Sequence, residues 1–170
     1  MKFFSPNNFL NELNKFEISN IENNYPKISI VMPSYNQAQF IEKSILSILN
    51  QNYPNTELII IDGGSNDGTI DKIKKYEDKI KFWISEKDQG QSDALNKGFA
   101  RCTGDIYGWL NSDDVYLPNT FKNIASIFAK NIDKKIVFGD WLNIGIKNDI
   151  IDHHHAFDFN LNHFKYEGFH

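Results

Sequence analysis

In 170 residues there is one cysteine, Cys102, only five prolines and no N-x-S/T tripeptide. A lone thiol cannot close an intramolecular disulfide, and the absence of a glycosylation acceptor also suits a reducing compartment. Cys102 itself reads as a small buried hydrophobe. Long apolar runs are missing as well: stretches such as Leu58–Ile61 are far too short to cross a bilayer. The start, "MKFFSPNNFLNEL", breaks at Ser5-Pro6-Asn7-Asn8 before an apolar core of signal-peptide length can form. A soluble, cytoplasmic protein is the expectation. An excess of positive charge is absent too, the formal net charge being −4. Broad nucleic-acid binding wants a concentrated basic face and is therefore not expected, although a local anion site is compatible with this charge. Repeats, low-complexity tracts and Gly/Ser linkers are not found.

What is present is a globular composition, 41% hydrophobic and 24% charged, in a length that suits one ordinary core. Residues 1–26 are rich in Asn and end in "NNYPK", which reads as a peripheral arm with a short helix around Phe9–Phe16. The core, residues 27–150, alternates short apolar runs with helical periodicity. "KISIVMP" reads as a buried strand stopped by Pro33, and Ile41, Ile45, Ile48 and Leu49 then share one helix face. "ELIIID" is a second strand, followed by "GGSNDG" and a helix marked by Ile70, Ile73 and Tyr76. "KIKFWIS" is a third, ahead of a helix with Ala94, Leu95, Gly98 and Phe99 on one face. "DIYGWL" is a fourth. Beyond it, Pro118 opens a helix carrying Phe121, Ile124, Ala125 and Phe128, and a fifth strand is expected around "KIVFGD".

Strands alternating with helices imply an α/β fold with a mainly parallel sheet covered on both faces, whose ligands bind beyond the carboxyl ends of the strands. That rim would collect Pro33 to Asn36, Asp62 to Gly64, Ser85 to Asp88 and Asn111 to Asp114. The loop "DGGSNDGT" is not a phosphate loop, because Thr69 and Ile70 stand where Lys and Ser/Thr should follow Gly68. It is not a dinucleotide fingerprint either, since Ser65 replaces the second Gly, and Gly64 spoils a calcium loop. A tight turn with Asp67 capping the next helix accounts for its glycines but not for Asp62. Asp113 and Asp114 repel each other. They read either as a solvated turn with a helix cap or as ligands of a hard divalent cation bridging to phosphate oxygens, for which Mg²⁺ or Mn²⁺ fits.

Three segments in series, "SIVMPSYNQAQFIEKSILSILNQNYPNTELIIIDGGSNDGT", "DQGQSDALNKGF" and "GDIYGWLNSDDVYLP", resemble the family-2 glycosyltransferases, whose nucleotide-sugar-binding fold is called GT-A. The resemblance runs from about Lys27 to Asp140. It implies transfer of a sugar from a nucleoside diphosphate, UDP- or dTDP-linked, to a hydroxyl of a glycan or lipid-linked acceptor, as in polysaccharide biosynthesis. Inversion at the anomeric carbon and a Mn²⁺ or Mg²⁺ ion on the leaving diphosphate go with that reaction. By the same resemblance Pro33, Tyr35 and Asn36 line the nucleoside pocket, with Tyr35 near the base, and Asp62 accepts a hydrogen bond from the base. Asp113 and Asp114 form the metal motif, Asp113 nearer the ribose and Asp114 the more direct ligand. The family often has Asp at the position of Asn111 and Arg at that of Leu95; Gln91 and Asp93 are the residues on the same helix that would replace those contacts.

No residue here matches the family's general base, so residues 151–170 are expected to begin an acceptor-side segment that is cut short. A later C-terminal part would bring the protein to the inner face of a membrane. The alternative is a nucleotide-sugar-binding module without turnover. The last segment holds all five histidines, His153, His154, His155, His163 and His170. Because consecutive histidines point in different directions on a regular element, a shared ligand face is not expected there.

Overall fold

Four short runs rich in aliphatic or aromatic residues, each too short for a helix, become four parallel strands in a computed structural model that describes residues 25–133, 135–146 and 149–156. In chain order the elements are β1 (Ile28–Ser34), α1 (Ile41–Leu49), β2 (Thr56–Asp62), α2 (Thr69–Lys74), a 3-10 turn (Glu77–Lys79), β3 (Phe82–Ser85), α3 (Gln91–Phe99), β4 (Ile106–Trp109) and α4 (Thr120–Lys130). The sheet order is β3-β2-β1-β4, and each neighbouring pair is parallel. The expected α/β architecture is therefore what the chain forms. The helix expected around Phe9–Phe16, and His163 and His170, lie outside the described residues. Among the described residues no helix is long and apolar enough to cross a membrane.

The strands alternate their side chains between two apolar clusters, as a sheet buried on both faces requires. On one face Ile28, Ile30, Met32, Leu58 and Ile60 pack with Ile41, Ile45 and Ile48 of α1, Ile73 of α2, and Phe121 and Ala125 of α4. On the other, Ile59 and Ile61 pack with Ala94 of α3. This division follows from topology. The chain steps outward from β1 to β2 to β3, then returns across the sheet to β4, so a right-handed crossover puts α3 on the face opposite α1 and α2. The order reverses between β1 and β4, and the crevice at their carboxyl ends is the place where such sheets take a ligand.

Two sequence expectations need correction. Pro33 does not stop β1, which runs on to Ser34. The register explains why a proline is tolerated there: pairing with β4 ends at Val31 opposite Trp109, so Pro33 lies beyond the end of β4 and its missing N–H breaks no ladder. The fifth strand is also different. The "KIVFGD" run is not a strand; β5 is Trp141–Ile144 and pairs antiparallel with β6, Ile150–His154, outside the parallel sheet. The Gly145 N–H donates to the Asp149 carbonyl at 2.8 Å, joining the ends of the two strands. The chain divides into two compact units, with one boundary between Lys130 and Asn131.

At the amino end of the sheet, away from the crevice, one buried acid has a purely internal role. Glu57 accepts hydrogen bonds from the Ser29 hydroxyl (2.6 Å) and the Thr103 N–H (2.6 Å), and pairs with Lys27 at 2.6 Å. Burial pushes its carboxyl up, but the bonds from Lys27, Ser29 and Thr103 outweigh that and hold it at about 2. Its satisfied geometry is the standard against which the acids at the opposite rim can be judged.

Candidate nucleotide-sugar site

Between the carboxyl ends of the four strands lies a cleft of about 560 Å³, a size that suits a small organic ligand. Pro33, Ser34 and Tyr35 line it from the end of β1, and Gly63 from the end of β2. Lys87 and Asp88 reach it from the segment after β3, Gly90 and Gln91 from the start of α3, and Asn111, Ser112 and Asp113 from the end of β4. The sheet thus brings together four of the sequence-derived site residues: Pro33, Tyr35, Gln91 and Asp113. Tyr35 is 63% exposed although aromatic, which makes its ring available to a ligand. The Ser34 hydroxyl is buried and has no hydrogen-bond partner among the described residues.

The other four residues do not line the cleft. Asp62 is fully buried and saturated: one carboxylate oxygen accepts the Gly64 N–H (3.1 Å), the Ser65 N–H (2.8 Å) and the Ser85 hydroxyl (2.6 Å), the other the Ser65 hydroxyl (2.5 Å). It therefore shapes the Gly63-Gly64 turn that forms the wall. Asn36 has a φ of 52°, which an Asn tolerates, and it joins two loops. Its N–H donates to the Ser65 hydroxyl (2.7 Å) and its side-chain oxygen accepts the Asn66 N–H (3.0 Å). Two more bonds complete the seam, Gln37 N–H to Thr69 Oγ1 (2.8 Å) and Ala38 N–H to Asp67 (2.9 Å). Asp67 also accepts the Thr69 N–H, although the N-cap of α2 is Gly68 and not Asp67 as expected, and the Thr69 hydroxyl is the first of the bonds that lower the Asp67 carboxyl. Asp93 accepts the Gln89 N–H (3.2 Å) and pairs with Lys97 (3.2 Å), which lowers its carboxyl and ties it to its own helix.

Asp114 is the fourth. A short relay links it to α3: the Gln91 amide donates to Asn111 Oδ1 at 2.7 Å, and the Asn111 amide donates to Asp114 Oδ2 at 3.2 Å. Asn111, which stands where the family often has Asp, is thus bonded by Gln91, one of the two residues expected to take over the altered contacts. Loss of hydration pushes the Asp114 carboxyl up, the Asp113 charge adds to this, and the Asn111 bond only partly offsets them. Unlike Glu57, this carboxylate has no cation beside it within the described residues. Two exposed neighbouring carboxylates held this way are an all-oxygen donor set that a hard divalent cation would relieve, so the residues fit Mg²⁺ or Mn²⁺.

Lys87 and Asp88 have no individual role in the sequence reading, although they belong to the polar run after β3. Lys87 brings positive charge to the cleft lining. Asp88 accepts the Gly90 N–H at 2.9 Å and lies so near Gly63 that a Cβ there would stand 2.9 Å from its carboxylate. The strand-end position was the signal that could have found them.

Comparison with known proteins agrees with this geometry. The profile of glycosyl transferase family 2 matches residues 29–170. An uncharacterized glycosyltransferase of Nostoc sp. is 38% identical over 106 residues, 60% of this chain and 33% of the relative. One of Haemophilus influenzae is 44% identical over 111 residues, 64% of this chain and 44% of the relative. The chain spans less than half the length of the curated relatives it matches. Among solved structures, residues 1–349 of S. aureus TarS in complex with UDP-GlcNAc superpose with a TM-score of 0.58 at 23% identity, over 62% of this chain and 32% of that one. A mannosyltransferase of Pyrobaculum calidifontis, in complex with GDP-Man and Mn²⁺, gives 0.57 at 24% identity, over 69% and 35%. At such identities the structural likeness speaks for the GT-A fold, while the profile match, covering most of the chain, shows that the protein belongs to glycosyl transferase family 2.

Proposed function

We propose that the cleft binds a nucleoside-diphosphate sugar and that the chain is the donor side of an inverting glycosyltransferase acting on an acceptor hydroxyl. The observation that carries this reading is the distribution of charge around the cleft. Asp113 stands at the end of β4, while Lys87, with Asp88 beside it, and the amino end of α3 line the cleft from the β3 side. A diphosphate needs both, a cation site at one edge and donors at the other. Tyr35 offers its ring to the base from the end of β1. Asp62 serves the base side by holding the Gly63-Gly64 wall, and exchanging the Ser85 hydroxyl for a base N–H would leave its acceptor count unchanged. Asn36 keeps the first two loops together, so that Tyr35 and Gly63 stay on one wall.

Asp113 and Asp114 are the residues that would hold Mg²⁺ or Mn²⁺. When bound, such an ion neutralises charge that builds on the departing diphosphate. Gln91 and Asn111 orient Asp114 toward this task through their relay, and Asp93 and Lys97 brace the helix that carries Gln91. The complexes of TarS with UDP-GlcNAc and of the Pyrobaculum enzyme with GDP-Man and Mn²⁺ support the same ligand class. The experiment is calorimetric titration of UDP into the protein, once in Mn²⁺ and once in EDTA. Affinity at least about tenfold higher with the ion, about 1.4 kcal/mol, is expected. Equal affinities would reject the assignment of the acid pair.

A further inference from the structure

The β5–β6 hairpin brings together side chains that the histidine-rich sequence was expected to scatter. Its register sets Trp141 opposite His154 and Leu142 opposite His153. Extending that register by one residue puts Asp140 opposite His155, and the two-residue period of extended chain puts His153 on the side of His155. The expectation that consecutive histidines diverge is right for His154, which turns to the other face and stacks on Trp141 at 4.9 Å. It is wrong for the outer two, because alternate residues on a strand point the same way.

The result is a compact donor set. Asp140 Oδ2 lies 3.1 Å from His153 Nε2 and 3.0 Å from His155 Nδ1, and the three donor atoms all fall within 4.8 Å of one another. The other carboxylate oxygen is fixed by the Ala156 N–H at 2.8 Å, which turns Oδ2 toward the rings. We propose that the hairpin of this protein holds one divalent transition-metal ion of the zinc class through Asp140, His153 and His155. Ligand atoms about 2.0–2.2 Å from a shared ion stand roughly 3.0–3.5 Å from one another, which is the spacing already present between the carboxylate and each ring. Two imidazole nitrogens with one carboxylate oxygen favour Zn²⁺, Co²⁺ or Fe²⁺ over Mg²⁺ and Ca²⁺, which prefer oxygen alone. The backbone bond to the second oxygen supplies the outer support that such ligands usually have. His155 and Asp140 are exposed, so the ion can enter from solvent and retain water at its open positions. Bound there, it ties the segment before β5 to the end of β6. The site shares no residue with the cleft, and its donors differ in kind from the all-oxygen pair Asp113 and Asp114.

The test uses the untagged chain, stripped with chelator and titrated with Co²⁺ while visible absorption is recorded. One equivalent should raise a ligand-field band that Zn²⁺ displaces and a large excess of Mg²⁺ does not. Asp140→Asn and His155→Ala should each weaken Co²⁺ binding at least about tenfold, whereas His154→Ala and Asp113→Asn should leave it unchanged. On the unmutated protein, Zn²⁺ should shift the imidazole nitrogen resonances of His153 and His155 and spare those of His154, a readout that does not depend on any variant folding. Absence of a one-equivalent band, its survival in both the Asp140 and His155 variants, its loss in Asp113→Asn, or unshifted His153 and His155 resonances would each overturn the proposal.

Discussion

Asp114→Ala should lower the affinity for UDP in Mn²⁺ by roughly 100-fold, about 2.8 kcal/mol, and leave the affinity for uridine within about twofold. The reasoning starts from what each ligand offers. Uridine has no phosphate, so a cation held at the end of β4 has nothing on it to bridge, and removing a carboxylate there costs it nothing. The contrast is Asp62→Ala, which should weaken UDP and uridine alike by about 1–3 kcal/mol, the value of a charge-assisted hydrogen bond. That variant should also melt earlier, since four donors from Gly64, Ser65 and Ser85 lose their shared acceptor. Titrations of both ligands into both variants, beside thermal melts, make the comparison. If Asp114→Ala weakens uridine as much as UDP, the division between base side and phosphate side is wrong.

Gly98→Ala should be among the most destabilising single substitutions in the chain, costing ~3 kcal/mol or more out of a total of ~5–15. A Cβ on Gly98 would stand 2.3 Å from Val31 Cγ1, a distance no packing tolerates. Neither partner has room to retreat. Val31 is fully buried on β1, which is flanked by β2 and β4, and Gly98 lies on the face of α3 that packs against it. Helix propensity alone would favour Ala by about 1 kcal/mol, so a measured loss isolates the steric term. The double variant Gly98→Ala/Val31→Ala should recover part of that loss, because the smaller residue makes space for the new methyl. Denaturant melts of the two single variants and the double one measure the coupling; strictly additive losses would mean that the clash is not the cause.

Much of the fold is legible in sequence because the residues that decide it act locally. Runs such as Leu58–Ile61 can only be strands at their length, and the spacing of Ile41, Ile45 and Ile48 suits only a helix. The rim follows from the rule for parallel sheets, and with it Pro33, Tyr35, Gln91 and Asp113 as cleft residues. The direction in which a polar side chain turns is not written in the sequence. Asp62, Asn36 and Asp93 sit at the right strand and helix ends, yet loop N–H groups, hydroxyls or a lysine claim their oxygens first. An acid whose oxygens are claimed by a turn and an acid left open to the cleft occupy the same strand-end position with the same residue type, and only the distances separate Asp62 from Asp113. Long-range choices are the other blind spot. Nothing local distinguishes a fifth parallel strand at "KIVFGD" from a hairpin beginning one residue later, and shifting that boundary decides which side Asp140 faces.

The central claim is that the nucleotide occupies the crevice between β1 and β4 at the carboxyl edge of the sheet. Mapping amide chemical shifts on titration of isotope-labelled protein with UDP and diamagnetic Mg²⁺ tests it most directly. The largest changes are expected at Tyr35, Gly63, Lys87, Gly90, Gln91, Asn111, Ser112 and Asp113, residues from all four strand ends, with Glu57 and Thr103 at the opposite edge unmoved. Saturable shifts that cluster elsewhere, or that leave Gly63 and Asn111 unchanged, would contradict the account.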